Sequence, residues 1–381
     1  MFTIGEEEIN AVADTIRKGL LTRFQAGTEG YLAQSERDLA AKIGVKHVLV
    51  LNSGTSALIS ALVALGIGPG DEVLVSAYTW ISTPLAPMIL GAIPHLVDID
   101  ETLMMDPDDL ERRITSRTKA IMVIHMTNRP CDMDRIMAIA NAHGIPVVED
   151  ACQAVGGLYK GRRLGSIGRV GCFSFNNFKN ITCGEGGAIL TDDMELYDRA
   201  RNWHDAGTFV QSYDAKTVVP LFAGQCYRAS EIQGAILVEQ IKRLDPCMEM
   251  LRERVRVATE VIEGEGRYQV TPHNDPASAV SLALTFPTIA ESEEFVARNG
   301  LLGTVYKNAG RHIYLNWDPL TQKRTYRDDV NPLLTEAGKG VTYDESAAPR
   351  TIDLLKRTVN VTPKWDMPLE EVRQQFKGYH A

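Results

Sequence analysis

The amino-acid sequence predicts an α/β fold in which helices cover a parallel or mixed sheet. Short β-branched runs alternate with helical patterns from Val45 to Asp193, as in strand–helix–strand units. The run at residues 144–151, GIPVVEDA, is nearly all apolar, as in strands that are buried on both faces of a sheet. The length of 381 residues excludes a single small module, because it corresponds to two or three typical domains.

Seven runs are predicted to form the strands of this sheet. They lie at residues 45–54, 69–77, 92–100, 119–126, 144–151, 169–176 and 186–193. Residues 55–67 carry apolar side chains at helical spacing, which predicts a helix directly after the first strand. The last two runs lie on either side of Lys179 and are predicted to close the sheet as a pair.

A change of pattern near Pro246 divides the chain into two predicted domains, a large one at 1–245 and a smaller α+β one at 246–381. The large domain ends in an amphipathic helix that begins near Ser230 with a capping-box pattern. The small domain is predicted to contain a charged helix, a strand and a final helix, at residues 248–266, 281–288 and 368–380. A helix within residues 6–20 is expected to pack on the small domain or on a partner subunit.

Composition and charge narrow the classes of function. The net charge of −9, from 49 acidic and 40 basic side chains, argues against a basic nucleic-acid-binding face. No stretch approaches the roughly 20 uncharged apolar residues of a membrane-spanning helix, and the N-terminus lacks the order of a secretory signal. The six cysteines show no CxxC pair and no metal-type spacing, so they are interpreted as reduced thiols of a cytoplasmic protein without a metal site.

The first candidate binding segment is residues 52–57, NSGTSA, at the end of a predicted strand and the start of a helix. Gly54 permits a tight turn, and the free N–H groups of the first helical turn, with the Thr55 hydroxyl, form an anion site suited to phosphate. The simpler interpretation is an N-capped helix after a strand. The segment is not a P-loop, because no Lys follows at the required spacing.

Asp150 is the second candidate, because it ends the apolar strand at 144–151. A buried carboxylate is costly unless it meets a cation, and open α/β sheets bind ligands at the carboxyl edge of their strands. The protonated ring nitrogen of a cofactor is such a cation. The alternative is an Asp that caps the next helix.

Lys179 is the third candidate, a lone lysine between an apolar strand and a Gly-rich turn. Desolvation lowers the pKa of an amine and makes it a nucleophile that can form a Schiff base. Ser174 lies five residues earlier and can offer its hydroxyl to the same ligand. The alternative is an ordinary surface lysine.

Together these groups are the parts needed to hold pyridoxal 5′-phosphate (PLP): a phosphate cradle, a carboxylate for the ring nitrogen and an amine for the aldehyde. Trp80 follows another predicted strand and can supply an aromatic face for the pyridine ring, although core packing is its simpler interpretation.

Several long motifs in order then identify the chain as similar to a known family. It resembles the PLP-dependent sugar aminotransferases of the DegT/StrS type, which have the aspartate aminotransferase architecture, fold type I. The motifs run from about residue 45 to 245: NSGTSAL, GPGDEVLVSAYTW, GAIPHLVDID, VVEDACQAVGG, RLGSIGRVGCFSF, FKNITCGEGGAILTDD and YRASEIQGAI. The resemblance implies a mainly parallel seven-stranded sheet in the large domain.

The resemblance also implies roles for the candidate residues. Lys179 forms the Schiff base with PLP and moves the proton between cofactor and substrate, while Asp150 keeps the ring nitrogen protonated. Gln153 contacts the phenolic oxygen of the ring and Trp80 stacks on it. The phosphate is bound by Gly54, Thr55 and Ser174. Family members are homodimers with shared active sites, in which a GxNxR segment of the partner reaches the phosphate.

Two positions depart from the family pattern. The GxNxR segment reads GQCYR, so Cys226 stands where an Asn amide is usual, and a thiol is a poorer donor. Gln225 or Arg228 can take over the phosphate contact. The loop at 125–130, HMTNRP, carries Arg129 where the family more often has a Gly-containing turn. Arg129 is expected either to meet an anionic group or to be a solvated surface side chain.

The predicted function is an aminotransferase that moves an amino group from an amino acid, first of all L-glutamate, to a keto-sugar or related keto-polyol. Alternatives are a non-sugar carbonyl acceptor, a sugar dehydratase of the same family, and a non-catalytic homologue. The dehydratase branch has His at the position of Lys179. The acceptor pocket is expected in the loops between residues 300 and 345, including Arg311, His312, Tyr314, Asn316 and Trp317.

Overall fold

The structure is a computed structural model that describes residues 3–208 and 217–379. Its strands are β1 (His47–Leu51), β2 (Glu72–Ser76), β3 (Ile93–Val97), β4 (Thr118–Ile124), β5 (Val147–Asp150), β6 (Leu158–Tyr159), β7 (Arg162–Arg163), β8 (Val170–Ser174), β9 (Gly187–Thr191), β10 (Ala283–Thr285) and β11 (Thr358–Asn360). Its α-helices are α1 (Glu6–Lys18), α2 (Arg23–Ala26), α3 (Tyr31–Ile43), α4 (Gly54–Ala64), α5 (Ser82–Ile89), α6 (Pro107–Arg113), α7 (Met133–His143), α8 (Met194–His204), α9 (Glu231–Glu265), α10 (Ile289–Arg298), α11 (Val305–Asn308), α12 (Asp318–Thr321), α13 (Pro349–Lys356) and α14 (Leu369–Lys377).

A seven-stranded sheet forms the centre of the molecule, in the order β1-β9-β8-β5-β4-β2-β3. Strand β9 runs antiparallel to its two neighbours β1 and β8, and the other neighbouring pairs are parallel. Each of the seven predicted runs overlaps one of these strands, so the predicted mainly parallel sheet is confirmed. The central strands are buried because helices cover both faces, which explains their nearly continuous apolar sequences.

The parallel strands bring polar residues to one edge of this sheet. Asp150 ends β5, Ser174 ends β8, and residues 52 and 53 connect β1 to α4. Gly187 begins the antiparallel strand β9 opposite both Leu51 and Ser174, so the turn that carries Lys179 returns at the same edge. Carboxyl edges of this kind are where open α/β sheets bind their ligands.

Helix α9 is one continuous helix of 35 residues, whereas the sequence predicted two helices that meet near Pro246. Its start at Ser230 is confirmed, with the capping box formed by Ser230 and Gln233. The helix continues through Pro246 because it packs along its length against α1, α3 and α14, which outweighs the hydrogen bond that proline cannot donate. The expected domain boundary at 245/246 therefore lies inside a helix, and the division into two domains stays a prediction.

The N-terminal helix α1 packs on the first half of α9. The side chain of Glu8 accepts hydrogen bonds from Gln240 Nε2 at 2.7 Å and from Arg243 Nη1 at 2.5 Å. These contacts lie within residues 1–245, and packing of this helix on the small domain or on a partner subunit stays a prediction. After α9 the chain forms the antiparallel pair β10–β11 and short helices. Among the described residues, no helix is both long and apolar enough to span a membrane.

Candidate active site

A cavity of about 470 Å³ opens at the carboxyl edge of the sheet. Seven of the eight residues that the sequence assigned to cofactor binding line it; these are Gly54, Thr55, Trp80, Asp150, Gln153, Ser174 and Lys179. They come from separate strand ends and loops, and the topology of the sheet brings them together. The eighth, Cys226, lies elsewhere.

The start of helix α4 forms one wall of this cavity. Ser53 is the N-cap residue, and its hydroxyl accepts from the N–H of Ser56 at 3.1 Å. A Cβ atom at Gly54 would lie only 2.7 Å from Ser174 Cβ and 3.2 Å from Cys152 Sγ. Glycine is therefore required for the close approach of α4 to the ends of β5 and β8. The approach places free backbone N–H groups of the first helical turn beside the Ser174 hydroxyl, an arrangement suited to a phosphate.

Asp150 is almost completely buried at the end of β5, with 4% of its surface exposed. Oδ2 accepts from the hydroxyl of Thr83 at 2.7 Å, and Oδ1 accepts from the backbone N–H of Cys152 at 3.1 Å. No cationic side chain in the described part of the chain forms an ion pair with it. A buried carboxylate held only by neutral donors attracts a positively charged ligand group.

Thr83 is a candidate site residue that sequence reasoning missed. Its hydroxyl also contacts the Thr79 hydroxyl at 2.8 Å, so two threonines four residues apart support Asp150. A signal was available, because residues 79–83 follow a predicted strand and their threonines are spaced by four. The signal is weak alone, since hydroxyl residues are common at helix starts.

A buried hydrogen-bond network fixes the strand end that carries Asp150. The neighbouring Glu149 is fully buried and contacts His125 Nε2 at 3.1 Å. Nδ1 of His125 accepts from the backbone N–H of Cys131 at 3.2 Å, so the ring proton lies on Nε2 and is donated to Glu149. The same carboxylate accepts three backbone N–H groups of the loop before β8, those of Gly165, Ile167 and Gly168.

Lys179 lies in the turn between β8 and β9, and its backbone N–H donates to the carbonyl of Asn176 at 2.9 Å. Among the residues that the structure describes, its side-chain amine has no hydrogen-bond or ion-pair partner. Lys179 is partly buried and lines the same cavity as Asp150. An amine in this position is available for covalent chemistry and for proton transfer.

Trp80 and His312 form an aromatic wall of the cavity, with ring centroids 5.0 Å apart and planes inclined by 52°. His312 Nδ1 donates to the carbonyl of Ala309 at 2.7 Å, which leaves Nε2 as the acceptor. Burial and the positive charge of Lys179 lower the pKa of His312, although the bond to Ala309 acts in the opposite direction. The ring is therefore neutral at physiological pH.

A second cavity, of about 690 Å³, adjoins the first and shares Gln153 and His312 with it. Its other walls include Arg129 and residues 301–303, 305, 308 and 309. Arg129 is 3% exposed, so the interpretation as a solvated surface side chain is wrong. Gln153 is tied to the Arg129 loop, because its Oε1 accepts from the N–H of Thr127 at 3.4 Å.

Of the residues expected in the acceptor pocket, only His312 is among those described as lining these cavities. His312 lines both of them. Tyr314 and Trp317 are fully buried in the core instead, where Trp317 Nε1 donates to the carbonyl of Arg311 at 2.8 Å. Arg311 and Asn316 are not among the residues described as lining either cavity. Aromatic side chains in a loop are a weak signal for a pocket, because they serve equally well as anchors of the loop.

Cys226 is exposed and lies outside both cavities of this chain. The backbone of Cys226 forms an isolated antiparallel β-bridge with Asp205. The carboxylate of Asp205 binds Arg228 Nη1 at 2.5 Å. The segment runs past the end of β1, where the N–H of Asn52 donates to the carbonyl of Tyr227. The predicted contact of Cys226 concerns the phosphate of a partner subunit, so it stays a prediction.

Comparison with known proteins places this geometry in a family. The family model "DegT/DnrJ/EryC1/StrS aminotransferase family" matches residues 3–355. A structure of 3-amino-5-hydroxybenzoic acid (AHBA) synthase is 26% identical, with a TM-score of 0.76 and coverage of 98% of this chain and 96% of that chain. S. venezuelae DesV, in complex with a ketimine intermediate, is 29% identical, with a TM-score of 0.73 and coverage of 97% and 93%.

A GDP-4-keto-6-deoxymannose-3-dehydratase (ColD) with bound GDP-perosamine has the same fold, with a TM-score of 0.79, 22% identity and coverage of 99% of both chains. The seven-stranded, mostly parallel sheet agrees with fold type I of these enzymes. The family match covers nearly the whole chain, and it agrees with the resemblance carried by the sequence motifs. The chain belongs to the DegT/DnrJ/EryC1/StrS aminotransferase family of PLP-dependent enzymes.

Proposed function

We propose that the protein transfers the amino group of an amino acid, first of all L-glutamate, to a keto-sugar or related keto-polyol. The two half-reactions alternate at one site, in a ping-pong mechanism. One observation carries the proposal: Asp150, Lys179 and the start of α4 meet in a single cavity. These are a carboxylate, an amine and an anion site, the three groups that a PLP-dependent transaminase requires.

The residues of the cavity fit PLP. The backbone of Gly54 approaches Ser174 closely, which a Cβ atom would prevent, so the N–H groups at the start of α4 lie near the Ser174 hydroxyl and suit a phosphate. The buried Asp150 faces the cavity without a cationic partner among the described residues, as expected of a group that binds a ring N–H⁺. Trp80 supplies an aromatic wall for the ring, and Gln153 an amide for its phenolic oxygen.

When bound, PLP supplies an aldehyde that captures amino groups and a ring that takes up electrons. Asp150 favours that electron uptake because its negative charge keeps the ring nitrogen protonated. Lys179 would hold the cofactor through its amine, and the same amine would move the proton from and to the substrate carbon. Trp80 and His312 form one wall of the cavity.

We also propose that the enzyme is a homodimer with shared active sites, in the cytoplasm. Phe178, next to Lys179 at the cavity, is 90% exposed in the single chain, which supports coverage by a partner. The partner's Gly224–Arg228 segment would then approach the phosphate. The cytoplasmic location rests on the cysteine usage of the sequence.

A non-sugar carbonyl acceptor is the second candidate. The similarity to AHBA synthase, whose name gives an amino-hydroxybenzoic acid as product, supports this second candidate. A dehydratase of the same family shares the fold, and the presence of Lys179 argues against that activity here.

The test uses purified protein loaded with PLP and follows its absorbance. L-glutamate should convert the cofactor to its aminated form, and a panel of keto-sugars and aromatic keto compounds should be screened for the acceptor that restores the original band. Lys179→Ala should abolish turnover in both directions, whereas the exposed Lys160→Ala serves as a matched control. Loss of a hydroxyl from a keto-sugar, without transfer of an amine, would instead identify a dehydratase.

A further inference from the structure

The second cavity has an unusual distribution of charge. It lies between the Arg129 loop, the β10–β11 region and residues 301–309, and it adjoins the catalytic cavity at Gln153 and His312. Of the described residues that line it, Arg129 alone carries a formal charge, and none is acidic. The remaining walls are apolar or neutral polar groups, so they leave the positive charge uncompensated.

The guanidinium of Arg129 is held rigidly but has no carboxylate partner among the described residues. Nε donates to the carbonyl of Thr102 at 3.2 Å, and Nη2 donates to the carbonyls of Thr271, at 3.2 Å, and Pro272. Nη1 has no hydrogen-bond partner in the described part of the chain. Asp100 is near enough to favour the charged form of Arg129 but forms no ion pair with it.

Burying such a cation is costly, because carbonyl dipoles replace only part of its hydration. Burial lowers the pKa of Arg129 to about 10, yet the side chain stays charged at physiological pH. A fixed guanidinium with a free N–H edge, at the wall of a cavity large enough for a small molecule, matches the geometry that binds carboxylates.

A second polar group on the same cavity lacks a partner. The Ser281 hydroxyl is buried, lies on a residue that lines the cavity, and has no hydrogen-bond partner among the described groups. Buried hydroxyls are rarely left unsatisfied in proteins.

We propose that Arg129 binds a carboxylate of a substrate in the second cavity. The proposal rests on the proposed function, because it requires a substrate whose amino or keto carbon lies at Lys179 while its carboxylate reaches Arg129. The carboxylate belongs either to the amino-acid donor or to a keto acceptor that is itself an acid. Both sources share this chemistry, and the two half-reactions distinguish them.

The first measurement is independent of the cofactor and of turnover. Glutarate and its uncharged counterpart glutaramide are titrated by calorimetry into the protein without PLP. Wild-type protein should bind glutarate and prefer it over glutaramide, and Arg129→Met should weaken glutarate binding at least about tenfold, since charge-assisted hydrogen bonds are the strong ones. Arg129→Lys should restore part of the affinity.

A second pair of variants keeps the test valid if Arg129→Met does not fold. Leu302 lines the cavity and is 94% exposed, so its replacement should not affect folding. Leu302→Glu should weaken glutarate binding severalfold by charge repulsion, and Leu302→Gln, its neutral match, should leave it unchanged. Equal affinity of wild type for glutarate and glutaramide, or no effect of either charge change, would overturn the proposal.

To identify the source of the carboxylate, the rates of both half-reactions are measured for wild-type and Arg129→Met enzyme loaded with cofactor. A loss confined to conversion by L-glutamate identifies the donor, and a loss confined to the return reaction identifies an acidic keto acceptor. If wild-type enzyme transfers no amine from any amino acid, the proposed function fails, while the glutarate titration still decides whether Arg129 binds carboxylates.

Discussion

The Thr83 hydroxyl donates a hydrogen bond of 2.7 Å to Oδ2 of Asp150. Because Oδ1 accepts from the N–H of Cys152, both oxygens of the buried carboxylate are held by neutral donors. Each carboxylate oxygen has two lone pairs, so each oxygen keeps capacity for a further donor. The bond thus fixes the orientation of the carboxylate without neutralising its charge, which suits it to a protonated ring nitrogen.

Asp150→Asn should retain cofactor binding but lose at least about a thousandfold in turnover, ~4 kcal/mol of barrier, because a neutral amide cannot hold the ring proton. Thr83→Val should cost only about tenfold, since one hydrogen bond to a charged group is lost while the bond from Cys152 stays. Steady-state kinetics with PLP content measured in parallel checks both. An Asp150→Asn enzyme within threefold of wild type would show that Asp150 is only a structural cap.

Gly54→Ala should weaken PLP binding at least about tenfold. Its Cβ atom would lie 2.7 Å from Ser174 Cβ, and overpacking of this kind costs ~1–3 kcal/mol. Gly68→Ala is the matched control, because a Cβ atom at Gly68 meets nothing within 4 Å. Fluorescence titration of the apoenzymes with PLP measures the effect, and equal affinity of the Gly54→Ala protein would refute the phosphate cradle.

Cys226→Asp should weaken PLP binding if the partner's segment reaches the phosphate, because a carboxylate repels a dianion. Cys226→Asn should bind PLP as tightly as wild type or more tightly, since an amide is a better donor than a thiol. Both variants are titrated with PLP after analytical ultracentrifugation has established their oligomeric state. Unchanged affinity of a dimeric Cys226→Asp protein would mean that Cys226 lies away from the phosphate.

His204 should make the protein sensitive to acid. It is 1% exposed, and burial together with the charge of Arg23 lowers its pKa to about 3. Below about pH 6.5, His204 is protonated in the unfolded chain but stays neutral in the folded protein. The free energy of unfolding therefore falls as the pH drops towards 3, by at most about 1.4 kcal/mol per pH unit.

The His204→Phe variant should therefore show a flatter decline of the unfolding free energy between pH 6.5 and 4.5. Urea unfolding of the apoenzyme across this range measures it. The exposed His143→Gln variant should keep the wild-type slope. Identical slopes for His204→Phe and wild type would contradict the assignment.

The sheet and most of the catalytic cavity were predictable because local signals determine them. Runs such as 144–151 are apolar enough to be buried strands, and the carboxyl edge of a parallel sheet then fixes where Asp150 and Ser174 meet. The prediction for Gly54 also depends on a local feature, a strand that ends in a glycine turn before a helix. The cofactor itself was inferred from three such groups together.

The features that were not predictable depend on tertiary packing. Pro246 was interpreted as a break between helices, but the contacts of α9 with α1, α3 and α14 keep one helix intact. Nothing local distinguishes a buried Arg129 from an exposed one, because the carbonyls that hold it belong to residues 102, 271 and 272. Trp317 was expected at a pocket, but it is buried in the core, where its Nε1 donates a hydrogen bond to the backbone carbonyl of Arg311.

The most direct test of the central claim is to locate the covalent attachment of the cofactor. Borohydride reduction of the PLP-loaded protein, followed by proteolysis and mass spectrometry of the peptides, should place the label on Lys179. Lys179→Ala should carry no label and lose the absorbance band of the bound cofactor. A label on any other lysine, or no label on a protein that binds PLP, would contradict the account.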